Sequence, residues 1–572
     1  MLRFFFFLYL MTGLFACRPQ STTDKQSQAS LGKIIFEVSG NEEAKPHFIR
    51  GVAALHNFWY PEAQEAFQKA IDADPDFAMA YWGLAMAHNS TLWQNQDKEA
   101  ALKVLNQLGA TSEERLLKAK TEKEKSYLKS LDFLYSQEEN KLKRDNAYMQ
   151  FMKDFYVSYP EDQEVAAFYA LSLLGVLRPE QDDVKERMEA AAVSQKIIKQ
   201  NGQHPGAVHY LIHALDDPLH APMALEAAYT YAEIAPESNH ALHMPSHIFV
   251  QLGLWREVIN SNVDAFAASQ KWVEKKGLDI TELDYHSLSW MSYGYEQCGQ
   301  FSKSFENLQQ IKTNYAELAG KSMERYMPQM EASYIINGEY WQILPEPELE
   351  GLSGRILYTR CSQMLASGLS AVHLDDQQAA NKALDYMALI RKMFVDRQDT
   401  YHAKLCEINE KALAGFIAYH QGEVSDSRSL FEQGLSLEES MEPPSGPPDV
   451  VKPIHELYGE VLLEMNMPQE AMNAFAHSLK LMPRRSASLL GMARAAELLN
   501  DGPTAFEYYS EFLSNWKDAD PNQSEVPEAE QFLKLYPELA DQATAYYPLP
   551  LNVPMDQRLS MNQCLPSGMK MN

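Results

Sequence analysis

Cysteine is scarce in this chain of 572 residues: Cys17, Cys298, Cys361, Cys406 and Cys564 are all there is. No two of them stand in a CxxC or another metal spacing, which argues against a thiolate metal site and against a disulfide framework. Basic charge is also short. Fifty Lys and Arg face 78 Asp and Glu, a formal net charge of −28, and no Lys/Arg cluster overrides that sign. Phosphate backbones require such a cluster, so nucleic acid is excluded as a partner. A Gly-rich phosphate loop, a GxSxG elbow and an HExxH zinc-protease motif are absent too. So are convincing alternating strands. Long hydrophobic runs are missing after the start of the chain, where an apolar run from Phe4 to about Leu10 is too short to span a bilayer.

That run sits inside "MLRFFFFLYLMTGLFAC". One early Arg, an apolar stretch and small residues near its end describe a secretory signal over residues 1–16. "LFAC" resembles the lipobox of bacterial lipoproteins, although Phe15 is bulkier than the usual residue there. The resemblance implies a lipidated (palmitate-bearing) Cys17 and a chain anchored to a membrane of the bacterial cell envelope, facing the periplasm or the cell surface. A plain secretory signal is the alternative. Residues 17–35, with "RPQSTTDKQSQAS" following Cys17, read as a flexible tether.

Repetition organises the rest. "YPEAQEAFQKAIDADPDF" carries Ala63, Phe67, Ala70 and Pro75, and "FIRGVAAL" upstream carries Gly51. "HELYGEVLLEMNMPQEAMNAFAHSLKLMP" repeats the register with Gly459, Ala471, Phe475, Ser478 and Pro483, and Ala224, Ala228, Tyr231 and Pro236 give it a third time. This pattern resembles the tetratricopeptide repeat (TPR), which implies an all-α, right-handed solenoid of helical hairpins. Helical spacing of apolar residues and Gly at the turns agree with it. A hairpin cannot bury its own apolar face, so neighbours must stack. The expected order is a first array over 36–340, a linker over 341–354 ("ILPEPELEGLSG"), a second array over 355–545 and an irregular tail over 546–572. "SMEPPSGPPDVVKP" is a further Pro-rich break.

Seven of the 16 histidines fall between His204 and His247. One repeat begins at Pro205 and the next at Asn239, 34 residues on, which is the TPR period. His209 and His213, like His243 and His247, are then fifth and ninth in their helices. By resemblance those positions line the concave groove, as do His240 and His286 at second positions and Asp216 and Asp217 beside His213. Residues four apart share a helix face, and two imidazoles so placed can hold one ion. Pro245 could start a helix of its own and turn His243 off that face. Zinc, copper or nickel all suit imidazole, and a neighbouring Asp can fix the tautomer. Trp82 falls at a groove position as well. Glu456, Glu460 and Glu464 read as a solvated acidic face.

Three readings of the histidines stand open: a metal or catalytic site, a polar groove for a ligand, and a structural network. "HYLIHALDDP" and "HALHMPSHIF" resemble segments of bacterial TPR lipoproteins, but that resemblance implies no activity. The leading expectation is a membrane-anchored scaffold that binds a protein or peptide in its groove. The alternative is a metal-binding protein, Zn-like, with hydrolase chemistry as one option and ligands among His209, His213, His240, His243, His247, His286 and Asp217. Asp216 and Trp82 would then contact the groove's occupant.

Overall fold

The computed structural model describes residues 30–178 and 183–539. The signal, Cys17, most of the tether, Cys564 and the tail from 546 lie outside the described residues. Within them the chain is a TPR-type all-α solenoid, with one two-residue hairpin pairing Asn89–Ser90 to Asn95–Gln96. No helix among the described residues is long and apolar enough to cross a membrane.

The repeat signature is a packing rule. Phe67, on the helix Tyr60–Ala73, lies between Gly51 and Gly83, and a Cβ on those glycines would come within 2.7 and 2.2 Å of its ring. Phe475 lies between Gly459 and Gly491 in the same way, at 2.8 and 2.3 Å. Any side chain at these glycines would drive the hairpin apart. The turn between paired helices puts one residue at positive φ: Gly253, Gly299, Gly422, Asn466 and Asn500 take it, as Gly and Asn readily do.

Two boundaries shift. Residues 31–36 are not tether: Leu31 and Phe36 are buried, Lys33 N–H donates to Gln203 O at 2.8 Å, and Asn57 Nδ2 donates to Leu31 O at 3.2 Å. This strap covers the first repeats because their apolar face would otherwise meet water. Residues 341–353 are non-helical as expected, but they do not separate two cores. Ile335 and Ile336 on the helix Lys321–Asn337 share one cluster with Leu344, Leu357 and Tyr358.

The solenoid also curls back on itself. Arg485 donates to Tyr293 Oη at 2.9 Å, Ser486 Oγ to Gln297 O at 2.6 Å, and Asp520 N–H to Gly299 O at 2.9 Å. Glu456 is a correction to the solvated face: it is fully buried, bound by Arg485 at 2.8 and 2.9 Å and by Ser488 at 2.6 Å. A buried carboxylate is tolerable only when paired in this way.

Candidate metal centre in the closed groove

Four helices bring the histidines together: Pro205–Ala214, the pair Asn239–His243 and Pro245–Gln251, and Tyr285–Gln297. His204 caps the first, its Nδ1 accepting from Ala207 N–H at 3.1 Å, and Pro205 takes the first helical position. Pro245 does not turn His243 away. Met244 stays in the right-handed helical region, and its N–H donates to His240 O at 2.9 Å, so the helix is only nicked where Pro lacks its N–H.

Six imidazoles form two groups, His209 with His213 and His240, and His243 with His247 and His286, with the ligating atoms of each group within 4.8 Å of one another. His209 Nε2 lies 3.1 Å from His213 Nε2 and 3.2 Å from His240 Nε2; His243 Nε2 lies 3.3 Å from His247 Nε2. In three of the six rings the other nitrogen is committed. His209 Nδ1 is 2.7 Å from His56 O, His247 Nδ1 is 2.7 Å from Asp216 Oδ2, and His243 Nδ1 is 2.6 Å from Asn262 Oδ1. Asn262 Nδ2 donates to Val258 O at 2.7 Å, which fixes its oxygen toward His243. These partners only accept, so each Nδ1 carries the proton and each neutral ring leaves Nε2 bare.

The consequence is sharpest for His243 and His247. With both rings neutral, two bare lone pairs face each other at 3.3 Å. A second proton on His243 would relieve this, but burial, reinforced by its neighbour His247, holds His243 down to about 4. Burial likewise holds His209 down to about 3 and His213, His240 and His286 well below the usual imidazole range. A cation does relieve it. Metal–nitrogen bonds of about 2.0–2.1 Å at tetrahedral angles place the nitrogens about 3.3 Å apart.

The buried trio His56, Glu164 and His204 is the internal control. His204 Nδ1 accepts from Ala207, so its Nε2–H donates to Glu164 Oε1 at 3.2 Å; His56 Nε2 donates to Glu164 Oε2 at 2.9 Å and its Nδ1 accepts from Tyr210 Oη at 2.7 Å. Burial pushes the Glu164 carboxyl up, but His204 and His56 outweigh it and hold it at about 2. Every donor there meets an acceptor, so no ion is required. The trio instead fixes His56, whose carbonyl orients His209. Sequence patterns did not single out this trio, nor Asn262, because their partners are more than a repeat away or on a facing helix.

Phe58 completes the first group. Its ring lies 4.2, 5.9 and 5.6 Å from those of His209, His213 and His240, and its φ is 52°. It occupies the turn position that Gly or Asn fills in several other hairpins. A bulky residue in the left-handed region is strained, and here the strain seats an aromatic wall on three imidazoles.

Other expected site residues fall differently. Trp82 is a correction: it is fully buried at 5.0 Å from both the Tyr127 and Phe168 rings, beneath Phe36 of the strap, and lines no groove. Asp217 is held off the imidazoles by Arg187 and by His220 at 2.8 Å. Burial raises its carboxyl, and those two contacts outweigh burial and keep it below its usual range. Asp216 does reach the cluster, as the acceptor that orients His247 and also receives Gln251 Nε2 at 3.1 Å.

A cavity of about 560 Å³ adjoins both groups, touching His213, His240, His247 and His286. The Pro-rich break roofs it. Pro444 O accepts from Gln251 at 2.8 Å, Pro448 O from Gln329 at 3.4 Å, Gly446 lies against the Trp290 ring, and Asp449 binds Arg355.

No family model and no curated protein matches the chain. Among solved structures it is similar to the human IFIT1 dimer with m7Gppp-AAAA, at 11% identity over 90% of this chain and 94% of that one, with a TM-score of 0.32. It is also similar to the APC/C hetero-tetramer Cut9–Hcn1, at 11% identity, over 86% and 96%, with a TM-score of 0.24. Both are helical-repeat proteins, and the overlay carries no argument about the site.

Proposed function

We propose that the groove of this TPR-type scaffold is a transition-metal centre closed by the chain's own Pro-rich segment. One observation carries the reading: His243 and His247 direct bare Nε2 atoms at each other across 3.3 Å while Asn262 and Asp216 hold their Nδ1 protons. Metal-ligating imidazoles generally donate their second nitrogen to such acceptors. The cavity beside them has the size of a small-molecule site, and the chain's own Pro-rich segment lines it. This favours metal chemistry over capture of a partner peptide. "LFAC" supports a lipid anchor at Cys17 in a bacterial envelope, and the charge of −28 opposes nucleic acid as ligand.

Elemental analysis of protein purified without a His tag tests the reading, alongside a His243→Ala/His247→Ala variant. Transition metal bound stoichiometrically by the parent and reduced in the variant is expected. A parent that stays metal-free after incubation with Zn(II), Cu(I) and Ni(II) in turn sinks it.

A further inference from the structure

The two groups of imidazoles raise a question that goes beyond whether metal binds: which metal, and how many ions. Resting on the reading above, we infer that the centre holds two copper ions, one in each three-histidine group, and that the pair takes up dioxygen.

Each group is complete in itself, and the groups are neighbours: the His213 and His247 rings lie 5.6 Å apart and the His240 and His243 rings 6.1 Å apart. His286 has its Nδ1 buried without any hydrogen-bond partner, a cost that a ligand role offsets. The ligand set has no carboxylate. Asp216 is spent on His247 and Gln251, Asp217 on Arg187 and His220, and Asp284 on Ser287 and Asn239. Six neutral imidazoles cancel none of the ions' charge. Two divalent ions would therefore place four positive charges side by side in a desolvated site, where like charges repel strongly. Two Cu(I) ions halve that charge, and Cu(I) accepts three nitrogen ligands. In its divalent state copper also stands above zinc in affinity for such a site.

The same arrangement disfavours hydrolysis. Asp216, Asp217 and Asp284, the carboxylates beside the groups, are already bound and so are poorly placed as general bases, and HExxH is absent. Dioxygen needs no such base. The cavity touches two imidazoles of each group, so a diatomic ligand there reaches both ions. Each Cu(I) gives one electron, dioxygen takes both and becomes peroxide, its O–O π bond breaks, and bonds from copper to oxygen form. No proton and no outside reductant enters that step.

The test is an anaerobic titration of the untagged full chain with Cu(I), with bicinchoninate as competitor and excess Zn(II) present, followed by admission of oxygen. Two copper ions per chain are expected, and one dioxygen consumed per two copper, with loss of Cu(I) and no mononuclear Cu(II) signal in electron paramagnetic resonance. His213→Ala/His240→Ala and His247→Ala/His286→Ala, each checked for helicity, should retain one ion and lose oxygen uptake. X-ray absorption of the loaded parent needs no variant and should show three imidazole nitrogens per copper. A single equivalent, zinc displacing copper, or a sulfur or carboxylate ligand overturns the copper pair. Two coppers that consume no oxygen overturn the oxygen step. Binding of no metal at all overturns the metal reading itself.

Discussion

His247 Nδ1 lies 2.7 Å from Asp216 Oδ2, thirty-one residues earlier in the chain, and that contact decides which nitrogen of His247 is bare. The carboxylate keeps the proton on Nδ1 and aims Nε2 at His243. Asp216 thus acts on the centre through His247.

Replacing Asp216 by Asn tests this. An amide can present its NH₂ to His247 and favour the wrong tautomer. Metal affinity of the His243 group should fall by about 10–100-fold, with helicity unchanged. A competition titration against a chromophoric chelator measures it, and an unaltered affinity removes Asp216 from the centre.

Metal-free protein should lose stability as pH falls below 6.5. His209 and His243 sit at about 3 and about 4 in the folded chain, held down by burial, against 6.5 when exposed. Between those values the unfolded chain binds protons that the folded chain refuses, so unfolding free energy declines toward low pH, by up to roughly 1.4 kcal/mol per pH unit for each group. Urea midpoints at several pH values above 4.5 should fall accordingly, and fall less steeply in His209→Ala/His243→Ala.

Metal should raise the melting temperature, and chelation should lower it. A ligand that binds only the folded state at about one hundred times its dissociation constant adds about 2.7 kcal/mol. Thermal scans before and after chelation, and after reloading, read the shift.

Gly83→Ala should destabilise the chain by about 1–3 kcal/mol, because the added Cβ meets the Phe67 ring at 2.2 Å. At Gly277, nothing lies within 4 Å of the added Cβ. Alanine there meets only the positive φ of 64°, and should cost no more than about 1 kcal/mol. Denaturant titration compares the two.

Arg485→Met should cost about 3–5 kcal/mol by leaving Glu456 buried without its main counter-charge. Adding Glu456→Leu should recover much of that loss. A double-mutant cycle would show a large coupling, and additive losses would mean the pair does not act as a unit.

The repeat was legible because its cause is local. Gly51 with Phe67 and Gly459 with Phe475 are each sixteen residues apart, inside one hairpin whose helices must approach closely. The register of His209, His213, His243 and His247 followed from the same period. Trp82 was misplaced because its exposure depends on Phe36, on a strap 46 residues upstream whose packing no periodicity announces.

Residue spacing within single helices therefore determined the solenoid and the shared face of the HxxxH pairs, since helix geometry repeats over a few residues. Only the tertiary structure decided what that face can bind. Tautomers depend on acceptors brought from afar: His56 O lies 153 residues from His209, and Asn262 lies across a turn from His243. The closing of the groove depends on Pro444 meeting Gln251, 193 residues away. Hydrogen bonds form between neighbours in space, and the stacking and return of the repeats make those neighbours.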